Sequence, residues 1–351
     1  MHCAVYRLRF IMQLCRKFLF KFLDLSGINI LFRFLNRKKV IILWYHGICD
    51  DSFQLLSDFD ERHIQKSNFR NQLTFLKKNR FVFLTMTELI NAFTNKKKIN
   101  KTVVITFDDG YNNVLTNAYP IMKEFNAKGC LYLVSDLINN DKLLWTDYIE
   151  TVVRNSPVGD FEFVFKGKTI HYFLDNKKSF EDAIQDLKTK LRTLSNNERI
   201  SHMTQFSNKK INNVPKEFIF AQWKDIQNLD RKILEIGCHT KSHPNLTSLS
   251  SSKEFEEEIK NSKIEIERMI GYEIIHFCYP AGDYNKDIIN KVKEYEYKSA
   301  VTIKHGFNDV TTDVYQLKRI EAPEDFLFFK SLISGSYLFL YRIKVFITRK
   351  T

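Results

Sequence analysis

Short apolar, β-branched runs alternating with helix-length stretches constrain this chain more than any other feature. Val40–Tyr45 (VIILWY) reads as a buried strand ending at His46-Gly47, and Thr102–Phe107 (TVVITF) as another ending at Asp108-Asp109-Gly110. Further strands are expected at 129–134, 233–238, 274–279 and 298–303. Helices are expected over 66–80, 86–94, 113–126, 221–229, 252–270 and 285–295. This alternation predicts a mostly parallel sheet, open or closed, in an α/β domain. It also places Asp108, Asp109, His239, Tyr279 and His46 at C-terminal strand ends, the face on which a parallel barrel carries its chemistry.

One stretch breaks the rhythm. FEFVF, Lys166-Gly167-Lys168 and TIHYFL read as a β-hairpin, followed by two polar helices at about 177–194 and 196–207. We read about 158–215 as an insertion into a domain spanning 40–329, flanked by a basic amphipathic segment at 1–39 and a basic aromatic helix at 330–351.

The net charge of +13 belongs to those flanks. Residues 1–39 hold nine Lys/Arg, including Arg7 and Arg9, against Asp24 alone; residues 330–351 hold five and no acid; the remainder is balanced. Both flanks are rich in Phe, Leu and Tyr, with Phe18, Phe22, Tyr337 and Phe346 among them. Basic amphipathic segments of this composition suit an anionic bilayer surface, or else cover the ends of a barrel with their lysines in water. Nucleic acid is not expected, because the balanced core carries no basic excess and no recognised binding motif. No apolar run reaches the length of a membrane span, and the N-terminal apolar stretches are interrupted by arginine and lysine without a small-residue cleavage site. The six cysteines (3, 15, 49, 130, 238 and 278) lack paired spacing. Reduced thiols and a cytoplasmic location, peripheral on the inner face of the membrane, are the expectation.

Two motifs carry the chemistry. Asp108-Asp109 alone is also a good turn sequence, and two histidines four apart in His239-Thr240-Lys241-Ser242-His243-Pro244 can be ordinary satisfied side chains. At strand ends of one α/β chain, however, they are what a divalent-metal hydrolase requires. Two imidazoles and one carboxylate hold the ion and leave positions for water and substrate, while the other carboxylate stays free to accept a proton. A separate acid must protonate the leaving group, and His46 at the end of the first strand is the best-placed histidine.

TFDDG followed by H-T-x-x-H-P resembles the polysaccharide deacetylase family (NodB homology, carbohydrate esterase family 4), over about Ile41 to Arg319. The resemblance implies a distorted (β/α) barrel and metal-dependent removal of acetyl groups from glycans. It implies Asp108 as general base and Asp109, His239 and His243 as ligands of one divalent ion, zinc first, with cobalt, nickel, manganese or iron as alternatives. Phe277-Cys278-Tyr279-Pro280-Ala281-Gly282 looks like the family's groove-lining loop, which offers a backbone N–H to the oxyanion, with Cys278 where an arginine is usual. Arg319 or Lys318 is the expected substitute in support of Asp108. The usual late histidine is absent, and Trp44-Tyr45-His46 resembles the subgroup whose barrel is circularly permuted, which again makes His46 the acid. Trp145, in Leu144-Trp145-Thr146-Asp147, is a candidate sugar-stacking wall. The expected substrate is an N-acetylated sugar of a bacterial surface polysaccharide or its lipid-linked precursor. O-acetyl esters, other amides or imides, and glycan binding without turnover are the alternatives.

Overall fold

The computed structural model describes residues 16–53, 62–209, 211 and 213–348. Arg7, Arg9, Cys3, Cys15 and the side chain of Phe346 therefore lie outside the described residues. Seven parallel strands close into a barrel: β1 (Val40–Tyr45), β5 (Thr102–Phe107), β6 (Gly129–Leu133), β9 (Leu234–Cys238), β10 (His276–Cys278), β11 (Ser299–His305) and β12 (Leu317–Glu321). β1 closes the ring, pairing with β5 from Val40↔Thr102 to Tyr45↔Phe107 and with β12 at Leu43↔Ile320. A short β4 (Val82–Phe83) adds to β5, and β2 (Gly47–Cys49) pairs with β3 (His63–Gln65) beside the barrel mouth.

The expected α/β alternation is thus a closed barrel of the distorted (β/α) type. Around it lie α3 (Lys66–Lys78), α4 (Met86–Thr94), α5 (Tyr119–Phe125), α9 (Trp223–Gln227), α10 (Ser252–Phe255), α11 (Ser262–Ile270), α12 (Lys286–Glu294) and α13 (Phe326–Ser334). The strands are apolar on both faces because both are covered. In β1 and β5, Ile41, Leu43, Val103 and Ile105 pack outward under the helices, while Val40, Ile42 and Val104 join Cys130, Cys278 and Val301 in a second apolar cluster. The helix expected over 113–126 starts with a wide π turn, Val114–Ala118, before α5. Pro120 lacks the N–H that a continuous α-helix would use there, which accounts for the wider turn.

The stretch that breaks the rhythm is a hairpin, β7 (Gly159–Phe165) and β8 (Lys168–Leu174), followed by α7 (Lys177–Arg192) and α8 (Asn196–Met203). The hairpin is carried by α6 (Trp145–Arg154), which precedes it. With it the segment forms its own small core, in which Phe161, Phe163, Leu187 and Phe206 pack on Ile149 and Val152 of α6. Of the barrel strands, β12 was not anticipated: it is hidden in the sequence by Lys318-Arg319 within LKRIE, an unusual reading for a barrel strand.

Candidate active site

Asp108 continues the β5 ladder by one residue, its N–H donating to Tyr45 O at 3.0 Å, and the chain then turns sharply. Asp109 has φ 72° and Gly110 φ 95°, so a side chain is held in left-handed backbone beside the glycine that completes the turn. The histidine loop repeats the device. His239 is fixed by its N–H donating to Leu133 O at 2.8 Å, and Thr240 and His243 stand at φ 69° and 55°. Glu258, between α10 and α11, ties that loop down by accepting from the N–H groups of Lys241 and Ser242 and from the Ser242 hydroxyl. This clamp has a signal in the sequence only in retrospect, as one carboxylate in the run Glu256–Glu258.

The two turns bring three donor atoms together. Asp109 Oδ1 lies 3.6 Å from His239 Nε2 and 3.8 Å from His243 Nε2, and the three residues have donors within 4.8 Å of one another. Asp109 Oδ1 is buried without a hydrogen-bond partner, which is costly for a carboxylate unless a cation satisfies it. Burial, and then Asp108, push the Asp109 carboxyl well above its ordinary range. Burial also pushes His239 and His243 down, so both imidazoles are neutral near pH 7 and able to act as ligands. His239 Nδ1–H donates to Cys278 O at 2.8 Å, leaving the Nε2 lone pair for an ion. These residues fit a divalent ion. Asp108, His239 and Cys278 also converge, but both Asp108 oxygens and the Cys278 sulfur already accept from Arg319, so that group suits an ion less well.

Arg319 is the centre of the site's electrostatics. Fully buried, it donates through Nη1 and Nη2 to the two Asp108 oxygens, each at 2.8 Å. Its Nε–H reaches Thr302 O at 2.9 Å, and its guanidinium lies 5.0 Å from the Trp44 ring. Burial favours a protonated Asp108, but Arg319 outweighs it, and the carboxylate is held well below its usual range. The arginine thus arrives from β12, while its contact with Cys278 spans the motif position where the family carries one. His46 packs edge-on against Trp44, at 5.8 Å between ring centroids, near enough for its charge to act on both Asp108 and His243.

The loop after β10 is arranged differently from the simplest expectation. The Tyr279 side chain is buried, stacks on Tyr284 at 4.7 Å and donates its hydroxyl to Tyr315 O. Its N–H bonds Val301 O at 3.3 Å, so this residue builds the loop from within. Pro280 is buried, and Ala281 stands at φ 51° with its carbonyl accepting from Arg192. Trp145 lies under the guanidinium of Arg199, 4.7 Å away, and lines a cavity of about 650 Å³ that also touches Ser242 and α8. Beside it lies a buried network that no sequence motif announces. Tyr111, directly after Gly110, donates to Asp147 at 2.7 Å, and Arg62 pairs with Asp147 and Glu150. Its charges act on Asp109, and Asp147, two residues after Trp145, was the only visible trace of it.

The sequence profile of the family described as polysaccharide deacetylase matches residues 95–158 and 177–300, more than half of the chain. The chain belongs to the polysaccharide deacetylase family. The matched residues include Asp108, Asp109, His239 and His243, while His46 and Arg319 lie outside them. YxkH of Bacillus subtilis is 28% identical over 118 residues, covering 33% of this chain and 39% of that protein. A poly-β-1,6-N-acetyl-D-glucosamine N-deacetylase of Staphylococcus aureus is 25% identical over 118 residues, 33% of this chain and 41% of the relative. The matches thus span about 40% of the length of these curated relatives. Among solved structures, a Streptococcus pyogenes deacetylase, PplD, in complex with acetate aligns with TM-score 0.55 and 19% identity over 82% of this chain and 94% of that one. IcaB from Ammonifex degensii aligns with TM-score 0.55 and 14% identity over 85% and 97%. At these identities the structural likeness bears on the polysaccharide deacetylase fold alone.

Proposed function

We propose that this polysaccharide deacetylase family member is a metal-dependent hydrolase that removes the acetyl group from an N-acetylated sugar of a bacterial surface polysaccharide or its lipid-linked precursor. The observation that carries the reading is the separation of two adjacent carboxylates into two jobs. Asp109 points an unbonded oxygen at two neutral imidazoles, while Asp108 is locked by Arg319. A divalent ion held by Asp109, His239 and His243 would supply Lewis acidity and lower the pKa of a water. Asp108, kept ionised by Arg319, takes the proton that the attacking water releases. Its low proton affinity suits a base that acts only once the water has been acidified. His46 donates a proton to the departing amine nitrogen, so the proton taken up by Asp108 is matched by one delivered to the leaving group.

The same reading places the protein in the cytoplasm or against the inner face of the membrane. Its support is the set of unpaired, buried thiols Cys49, Cys130, Cys238 and Cys278, together with the basic terminal helices. Acetate release from a panel of N-acetylated saccharides tests the function, run as isolated, after chelation, after zinc, cobalt or nickel is restored, and beside Asp108→Asn. Metal-dependent release that the substitution abolishes is the expected result. Stoichiometric metal binding without release from any N-acetyl substrate would refute it, and release from O-acetyl esters alone would reassign it to an esterase.

A further inference from the structure

The helices at the two ends of the chain are built inside out. Residues 16–25 form α1, Ile28–Leu35 form α2, and Ser336–Thr348 form α14 after α13. In α2 the one polar uncharged residue, Asn29, is fully buried, where it accepts from the Ser334 and Ser336 hydroxyls at 3.1 and 2.7 Å. The outward arc is instead Ile30, Leu31, Phe34 and Leu35, all exposed, at a spacing that puts them on one face. Helix α1 does the same with Phe18, Leu19, Phe22 and Leu25, of which Phe18 is 69% exposed, while Phe20 and Leu23 face the protein. Phe339, Tyr341 and Ile343 of α14 continue the pattern next to α2, with Phe339 5.2 Å from Phe32. Eleven of the twenty exposed large apolar side chains among the described residues lie on these three helices. Chance scatter over a soluble surface does not concentrate them this way.

The charges say what covers the face. Lys17, Lys21, Lys38 and Arg342 are exposed beside these apolar residues, and Lys17 and Lys21 flank the apolar arc of α1. Asp24, the single acid of residues 16–39, is neutralised by Lys330 at 2.8 Å. An apolar stripe edged by cations matches the acyl–headgroup boundary of an anionic leaflet, whereas a protein partner for eleven exposed apolar groups needs no such cationic edge. No single helix among the described residues is long and apolar enough to cross a membrane. α13 and α14 qualify only together, and they break by 78°, with Phe329, Leu332 and Ile333 of α13 packed into the barrel core. That geometry suits a helix layer lying on a bilayer.

We propose that α1, α2 and α14 form one composite docking face that inserts its apolar side chains into an anionic lipid surface. The inference deepens the membrane-proximal part of the proposed function, and its test is independent of turnover. The full chain would be sedimented with vesicles of phosphatidylcholine alone and with roughly 30–40% phosphatidylglycerol added. Partitioning onto the anionic vesicles is expected to fall about a hundredfold or more when Lys17, Lys21, Lys38 and Arg342 are all changed to Gln. A loss of similar size is expected for the exposed set Ile30→Ser, Leu31→Ser, Phe34→Ser. The three native tryptophans, Trp44, Trp145 and Trp223, lie outside these helices. The substitution Phe34→Trp therefore adds a reporter on the face, whose emission should shift to the blue and be quenched by brominated lipid. Equal binding to neutral and anionic vesicles, unchanged binding in both variants, or a reporter signal that responds to protein concentration and ignores lipid would overturn the proposal. Acetate release from a soluble saccharide, followed on the same preparations, separates a failed docking face from a failed active site.

Discussion

Replacing Arg319 by methionine separates the charge of the Asp108–Arg319 pair from its volume. Both side chains are buried, and the wild-type pair makes two 2.8 Å bonds. Removing one partner of such a pair strands the other charge in a low-dielectric site, which costs about 3–5 kcal/mol. For a domain of this size that corresponds to a fall in Tm on the order of 10 °C at pH 7. The pH dependence gives the mechanism away. In the wild type the folded Asp108 pKa is depressed, so its contribution to stability is present above the unfolded value of about 3.9 and is lost as pH falls through the folded value. In the variant, burial is no longer outweighed by the arginine and pushes the same pKa above the unfolded value. Its contribution is then fully present below about pH 3.9 and is lost as pH rises through the raised folded pKa. The Tm gap between the two proteins should therefore narrow as pH drops from 7 towards 4. A double variant, Asp108→Asn with Arg319→Met, carries no stranded charge and should melt above Arg319→Met alone. Thermal melts followed by circular dichroism across that pH range test all three statements. A gap that is absent, or constant with pH, together with a double variant no more stable than the single one, would refute the electrostatic account. On the reading of Asp108 as base, turnover of Arg319→Met should also fall by about a hundredfold, because the base loses its orientation.

Three further outcomes follow from the site and its supports. His239→Ala should lower zinc affinity about a hundredfold or more, measured by competition with a chromophoric chelator, while the far-ultraviolet spectrum stays unchanged. His46→Ala should lower kcat by about 10²–10⁴ with bound metal unaltered, and an equal loss of metal would make it a structural residue. Gly129→Ala places a Cβ 2.1 Å from the Ile105 carbonyl oxygen of the neighbouring strand, a backbone atom that cannot step aside. It should cost about 3 kcal/mol in chemical denaturation, and a cost below about 0.5 kcal/mol would show that the two strands can shift apart.

The sequence was most legible where burial on both faces left no choice of residue type. Val40–Tyr45 and Thr102–Phe107 are strands with the anticipated bounds, and Met86–Thr94 is the anticipated helix. A run such as VVITF admits only small adjustments of register, and the meeting of Asp109, His239 and His243 was legible because each motif is contiguous and ends a strand. What escaped was whatever depends on distant parts of the chain meeting. Arg319 was expected beside Asp108, with Lys318 as the alternative, only through the family resemblance; the strand that carries it was not, because Lys318-Arg319 hides the apolar Leu317 and Ile320, and the closed ring shows which of the two faces inward. The Arg62–Asp147–Tyr111 network draws on three segments that carry no shared pattern. Tyr279 belongs to the loop that resembled a groove lining, but the strand alternation sends its ring into the core with Phe277 and Tyr284.

The order in which the chain is made gives the β12 arginine one more meaning. Asp108 is synthesised 211 residues before Arg319, and the strand that carries Arg319 is the last of the ring, wedged between β11 and β1. Until that strand docks, the ring is open between β11 and β1, and Asp108 lacks the arginine that holds it ionised. On the reading of Asp108 as base, ring closure and arming of the base are a single event. On the same reading, a partly opened barrel can keep Asp109, His239 and His243 together and still be silent, so the onset of hydrolysis during refolding would report the insertion of one strand.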